Sequence, residues 1–145
     1  LNNIMIDNAT HKGICVIDLD TVMPGLSLND FGDSIRFGAS TAAEDEQDIS
    51  KVFCDLHLFE VYVKGFLEGC GGALTDLEVE MLPMGAILMT FECGMRFLAD
   101  HLEGDHYFRI HRENHNLDRA RTQFKLVWDM EQKLSEMKAI VQKYK

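Results

Sequence analysis

The stretch that decides the fold is a short apolar run that stops at carboxylates, Ile14-Cys15-Val16-Ile17-Asp18-Leu19-Asp20. A second β-prone run, residues 3–6, precedes it, and the turn-rich residues 7–13 lie between the two. This arrangement predicts an antiparallel hairpin whose second strand delivers acidic side chains to a site. Closely spaced carboxylates of this kind most often hold Mg²⁺ against a phosphate.

No strand signal follows the hairpin, and the later apolar patterns have a helical period. The sequence predicts a short helix over residues 30–37. A second helix has an apolar stripe that begins at Ile49, and it ends at the glycines of residues 69–72. A capping box from Thr75 to Glu78 marks the start of a third helix.

Pro83 lies inside that third helix and should break or kink it, because proline cannot donate an amide hydrogen bond. The apolar residues 84–98 predict a central helix that is buried nearly all round. One last helix is predicted from Leu117, with its apolar face running on to Val141. The predicted fold is therefore mainly α, an N-terminal β-hairpin followed by a helical bundle, in one domain over residues 1–145.

Composition excludes several classes of function. The formal net charge is -10 and the pI is about 4.9, which argues against nucleic-acid binding because such modules carry a basic face. The four cysteines lie far apart and predict reduced thiols in a cytoplasmic protein. The sequence has neither an uninterrupted apolar run of about 18 residues nor a signal-peptide pattern, so we expect no membrane association.

Two familiar acidic motifs fit poorly. The residues from Asp18 to Val22 match the first motif of haloacid-dehalogenase-type phosphatases, but that fold needs alternating strands and helices, and the strand signal ends at Ile17. An EF-hand loop counted from Asp18 has Met23 where glycine is required and Asn29 where the bidentate Glu belongs. Both alternatives are therefore disfavoured.

A kinase-like arrangement fits better. In kinase-type phosphoryl transfer, Mg²⁺ is held by an Asn on the catalytic loop and by an Asp after the next strand, and Asn3 and Asp18 lie at the two ends of such a hairpin. With residues 2–7, 16–20 and 29–33, the chain resembles the C-terminal lobe of the aminoglycoside-phosphotransferase-like kinases. Within that family it is most similar to the N-acetylhexosamine kinases, on four further segments: residues 17–25, 30–37, 96–105 and 115–121.

The resemblance implies transfer of the γ-phosphate of ATP to the anomeric hydroxyl of N-acetylglucosamine or N-acetylgalactosamine, with Mg²⁺. It assigns the metal, and with it the ATP phosphates, to Asn3 and Asp18. Asp30, twelve residues after Asp18, takes the role of the later Asp that orders the catalytic loop. The sugar pocket is assigned to three residues, namely Arg96 as a hydrogen-bonding fork, Tyr107 as an apolar surface against the ring, and Asp20 as a further sugar or metal ligand.

One departure from the family pattern is central. The family's proton-accepting Asp lies five residues before the Asn, and only two residues precede Asn3. The general base and the small N-terminal lobe are thus expected outside this chain, which by itself should bind nucleotide poorly and turn over nothing. Two alternatives stay open: a kinase of another small molecule, such as an aminoglycoside, choline or homoserine, and a non-catalytic kinase-like helical binding module.

Overall fold

A computed structural model describes residues 3–20 and 22–145. These residues form a two-stranded antiparallel sheet followed by helices, so the predicted mainly α class with an N-terminal hairpin is confirmed. The two strands and five α-helices of the described residues are, in chain order, β1 (Ile4–Ile6), β2 (Gly13–Val16), α1 (Ser27–Gly38), α2 (Leu56–Cys70), α3 (Asp76–Glu103), α4 (His115–Gln132) and α5 (Leu134–Gln142).

The hairpin is held by its backbone register and by its turn. Ile4 pairs with Val16 and Met5 with Cys15, and an irregularity follows between Met5 and Ile6. In the turn, the Asp7 carboxylate accepts hydrogen bonds from the amides two and three residues ahead, at 3.1 and 2.7 Å. All residues of both strands are exposed, so the hairpin stands largely apart from the helices.

Helix α3 is the centre of the helical body, with α1 packed on one side and α4 on another. Two glycines permit the contact with α1. A Cβ atom added at Gly32 would lie 2.3 Å from the carbonyl oxygen of Gly85, and one added at Gly85 would lie 2.8 Å from the carbonyl oxygen of Leu28. The α1 and α3 backbones therefore approach more closely than any larger side chain would allow.

The segment before α2 differs from the prediction. Only residues Ile49–Lys51 are helical, as a single 3₁₀ turn, and the chain then runs extended until Asp55 caps α2. The backbone of Cys54 pairs with Ser40, and its amide donates to the Asp129 carboxylate of α4 at 2.8 Å. The predicted start of a continuous helix at Ile49 was wrong because these long-range contacts hold the segment extended.

Helix α3 confirms the predicted capping box and corrects the predicted burial. The capping box is present: Thr75 accepts from the Glu78 amide, and the Glu78 carboxylate accepts from the Thr75 amide at 2.8 Å. The helix continues through Pro83 without a break. It is not buried nearly all round, because Leu88 and Phe91 are exposed on its outer face.

The predicted last helix also differs from the structure. It is divided into two helices, α4 and α5, which meet at Lys133.

Within residues 3–20 and 22–145, one helix is long and apolar enough to cross a membrane, and this helix is α3. Half of its most apolar stretch is buried inside the protein. Core helices of globular proteins meet the same criterion, so this helix is weak evidence for a membrane span.

Candidate functional site

The hairpin brings Asn3 and Asp18 into direct contact. The amide of Ile17 donates to the carbonyl oxygen of Asn3 at 2.9 Å, which closes the open end of the hairpin. Beside this bond, Nδ2 of Asn3 donates to Oδ2 of Asp18 at 2.9 Å. Asp18 has a φ of 63°, a left-handed conformation that costs a non-glycine residue energy and is often found at functional sites.

The donor atoms of this pair suit a hard cation. Asn3 offers an amide oxygen and Asp18 a carboxylate, both exposed, and Asp20 places a second exposed carboxylate two residues further on. Mg²⁺ is typically bound by one or two carboxylates together with waters and substrate phosphates. Within the described residues no group of three or more His, Cys, Asp and Glu side chains converges. The pair therefore supplies only part of the ligand set that such a cation needs.

Asp30 is exposed and lies in the first turn of α1, where its charge complements the helix dipole. Its backbone carbonyl accepts from the Ser34 hydroxyl at 2.9 Å. Among the residues that the structure describes, no hydrogen bond or ion pair joins the Asp30 carboxylate to Asn3 or Asp18. Its role in ordering the loop stays a prediction.

Arg96 and Tyr107, the two residues assigned to the sugar pocket, lie together. They line a cleft of about 340 Å³ with Asp100 and Phe108. The Arg96 guanidinium carbon is 5.7 Å from the Tyr107 ring centroid and 5.4 Å from that of Phe108. The cleft thus combines an aromatic wall with a guanidinium group that can donate several hydrogen bonds. This combination suits a small polar ring.

The loop that carries Tyr107 is held by Asp100, a residue that sequence reasoning missed. Oδ1 of Asp100 accepts from the amides of His106 and Tyr107 at 2.9 and 2.7 Å, and Oδ2 accepts from the amide of Phe108 at 2.9 Å. Burial raises the pKa of Asp100, but these three amides outweigh it and hold the pKa below its ordinary value of 3.8. Asp100 is therefore ionised and fixes the aromatic wall.

Asn116 extends this network from α4. Its Nδ2 donates to Oδ2 of Asp100 at 2.8 Å and to Oδ1 of Asp105 at 2.9 Å. Its Oδ1 accepts from Arg119 at 2.9 Å. One sequence signal was available for this anchor: Asp100 lies in the last turn of a helix, where a carboxylate opposes the dipole and needs compensation.

His111 and His115 lie together at the start of α4, with ring centroids 5.6 Å apart. His115 is buried, and its Nδ1 accepts from the His111 amide at 3.1 Å. Its Nε2 therefore carries the proton and donates to the Asp45 carboxylate at 3.0 Å. Burial raises the pKa of Asp45, and the hydrogen bond from His115 brings it below its ordinary value.

Arg112 forms ion pairs with two acidic residues in the same region. Arg112 contacts the Asp118 carboxylate and donates to the Asp45 carbonyl oxygen at 3.0 Å. Together with His115, these contacts fasten the segment between α1 and α2 to helix α4.

The two candidate sites lie on separate elements, the hairpin and the α3–α4 end of the helical body. No protein-family model matches this chain.

Proposed function

We propose that this chain is the helical lobe of an ATP- and Mg²⁺-dependent small-molecule kinase of the aminoglycoside-phosphotransferase-like family, and that its phosphate acceptor is an N-acetylhexosamine. The observation that carries the proposal is the 2.9 Å contact between Nδ2 of Asn3 and Oδ2 of Asp18 across the hairpin. The kinase pattern requires that an Asn and an Asp separated by one hairpin converge at their side chains.

The residues of this chain supply binding and orientation. Asn3 and Asp18 would hold Mg²⁺ through their side-chain oxygens, and the ion would supply positive charge against the phosphates of ATP. In the cleft, the Arg96 guanidinium can donate to hydroxyl or acetamido oxygens of a sugar, and the Tyr107 ring offers the apolar surface for its carbon face. None of these four residues is assigned as the proton acceptor for the sugar hydroxyl.

The metal assignment is tested first, with Mn²⁺ as a paramagnetic probe. Mn²⁺ should broaden the amide signals around Asn3 and Asp18 in an NMR titration, and Asp18→Asn should abolish the broadening. Glu113→Gln removes an exposed carboxylate elsewhere and should leave the broadening unchanged. If Asp18→Asn broadens like the wild type, Asp18 is not a ligand. The same titration of Asp20→Asn shows whether Asp20 contributes.

The reaction is tested on the complete gene product. ATP consumption is measured with N-acetylglucosamine, N-acetylgalactosamine, choline, homoserine and an aminoglycoside, and we expect turnover with the two sugars. Asp18→Ala should reduce turnover to background. Turnover of choline but not of the sugars would identify a kinase of another small molecule. Metal binding without turnover of any acceptor would support the non-catalytic binding module instead.

A further inference from the structure

The outer face of α3 carries a continuous apolar seam, opposite the face that packs into the core. Leu88 in its middle and Leu77 and Leu102 at its ends are 54, 67 and 76% exposed. The intervals between seam residues alternate between four and three along the helix. The residues of the α3 seam are Leu77, Met81, Met84, Leu88, Phe91, Met95, Leu98 and Leu102.

A repeat of this kind identifies the partner as another helix. Alternating spacings of three and four place every side chain of the seam on the line along which two helices meet in a coiled coil. The opposite face of α3 is already used, since Leu82, Ala86 and Phe97 are buried in the helical body. A helix that is apolar on both faces is normally covered on both. Among the described residues, Phe124 of α4 packs against the edge of the seam at Phe91, with ring centroids 5.8 Å apart, and Leu98 is partly buried, while the other seam residues are exposed.

We infer that the α3 seam binds a second copy of this chain, with the two α3 helices antiparallel. The order of spacings, 4-3-4-3-4-3-4, is the same in both directions. In an antiparallel pair, each seam residue of one copy therefore lies opposite a seam residue of the other, and the two form one layer. The two-fold axis then falls between Leu88 and Phe91. The four layers, each formed twice, are Leu77 with Leu102, Met81 with Leu98, Met84 with Met95, and Leu88 with Phe91.

The charges beside the seam favour this orientation. Asp76, Glu78 and Glu80 crowd the first turns of α3, and a parallel pair would place these acids of both copies at the same end. The antiparallel pair separates them by the length of the helix and brings Glu80 towards His101 of the other copy. In the same pair, Glu92 of one copy lies opposite Gly85 of the other copy, so Glu92 meets no acidic side chain there. Antiparallel helices also place opposite dipole ends together.

The size of the seam sets the expected strength. Residues 77–102 span roughly 38 Å, since a helix rises about 1.5 Å per residue. Beside the seam, a groove of about 480 Å³ is lined by Phe124, Val127 and Trp128 of α4, which widens the apolar surface. The seam has eight residues, whereas a standard interface of roughly 800 Å² per partner involves about 20–30 residues a side. We therefore expect a reversible dimer whose population rises with concentration.

Sedimentation velocity tests the dimer on the 145-residue chain. The wild type should shift from monomer to dimer between about 1 and 500 μM, a range that covers affinities of weak complexes. Leu88→Glu should stay monomeric throughout. Val61→Glu is the matched control, because it adds the same charge at a position on α2 that is equally exposed, 54%, and it should dimerise like the wild type. Met95→Glu provides a second seam variant should Leu88→Glu fail to fold.

Cross-linking tests the orientation. In a protein whose native cysteines are replaced by serine, the double variant Leu77→Cys with Leu102→Cys should form an intermolecular disulfide. Leu102→Cys alone should not, because the antiparallel pair holds the two copies of that residue at opposite ends of the seam. A monomer at every concentration, a dimer that survives Leu88→Glu and Met95→Glu, or cross-linking of Leu102→Cys alone would each overturn the inference.

Discussion

Replacing Gly32 by alanine should destabilise the protein through a backbone clash between α1 and α3. The added Cβ would lie 2.3 Å from the carbonyl oxygen and 2.8 Å from the carbonyl carbon of Gly85. Both are main-chain atoms on the buried face of α3, so they cannot rotate away, and at least one helix must move. Overpacking of this kind costs about 1–3 kcal/mol, and a contact this short belongs at the upper end.

The higher helix propensity of alanine partly offsets this loss of stability. Alanine in a helix interior is more stable than glycine by about 0.5–1 kcal/mol, so the net loss for Gly32→Ala is about 2 kcal/mol. Gly65 in α2 isolates the propensity effect, because a Cβ added there meets no atom within 4 Å. Gly65→Ala should therefore stabilise the protein by about 0.5–1 kcal/mol.

Urea unfolding followed by circular dichroism measures both variants, and a thermal scan should show Gly32→Ala melting about 4–8 °C below the wild type. If Gly32→Ala is as stable as Gly65→Ala, the close approach of α1 and α3 is refuted. A loss in both variants would point to a general intolerance of substitution and not to this contact.

Three further predictions concern ionisable groups. Asp100→Asn should raise amide hydrogen exchange at residues 106–108 of the loop after α3, measured by NMR, while exchange within α3 stays unchanged. The pKa of Glu78 is lowered from 4.5 by hydrogen bonds from Thr75, so this carboxylate stabilises the fold above pH 4.5. That stabilisation is lost as the pH falls through the lower pKa of the folded state. The free energy of unfolding of Glu78→Gln should therefore depend less steeply on pH below 4.5 than that of the wild type. Burial raises the pKa of Cys54 to about 12, so a thiol reagent at pH 8 should modify Cys54 only after denaturation, and stability should fall as the pH rises above 9, where only the unfolded thiol ionises.

Local signals in the sequence were enough to predict the hairpin and the start of α3. The capping box depends on residues three apart, and the hairpin on two β-prone runs separated by a turn, so neither needs information from elsewhere in the chain. The segment from Ile49 to Asp55 needed such information. Its apolar spacing is helical, yet the Cys54 backbone is held by Ser40 and by the Asp129 carboxylate, 75 positions further on. Periodicity does not reveal contacts of that range.

The same contrast holds for the candidate site, where local sequence signals predict one contact and not another. The pairing of Asn3 with Asp18 was predictable because the hairpin between them fixes their separation. The convergence of Arg96 and Tyr107 was expected only from the family resemblance, since eleven positions separate them and Asp100 folds the loop between. That anchor was missed because three of its partners are backbone amides, which every residue carries, and the one signal in the sequence was a carboxylate in the last turn of a helix.

The separation of the hairpin from the helical body bears on any catalysis that this chain supports. Its two strands are exposed on both faces, so packing does not fix their direction relative to the cleft at Arg96. Covalent connection alone raises the effective concentration of one site near the other. Alignment of reacting groups is a separate requirement, and well-oriented intramolecular reactions gain about 7–11 kcal/mol from proximity and alignment together. The apolar surface of the hairpin therefore has a kinetic role under the proposed function: whatever packs on it sets the angle at which a phosphate held at Asp18 meets its acceptor.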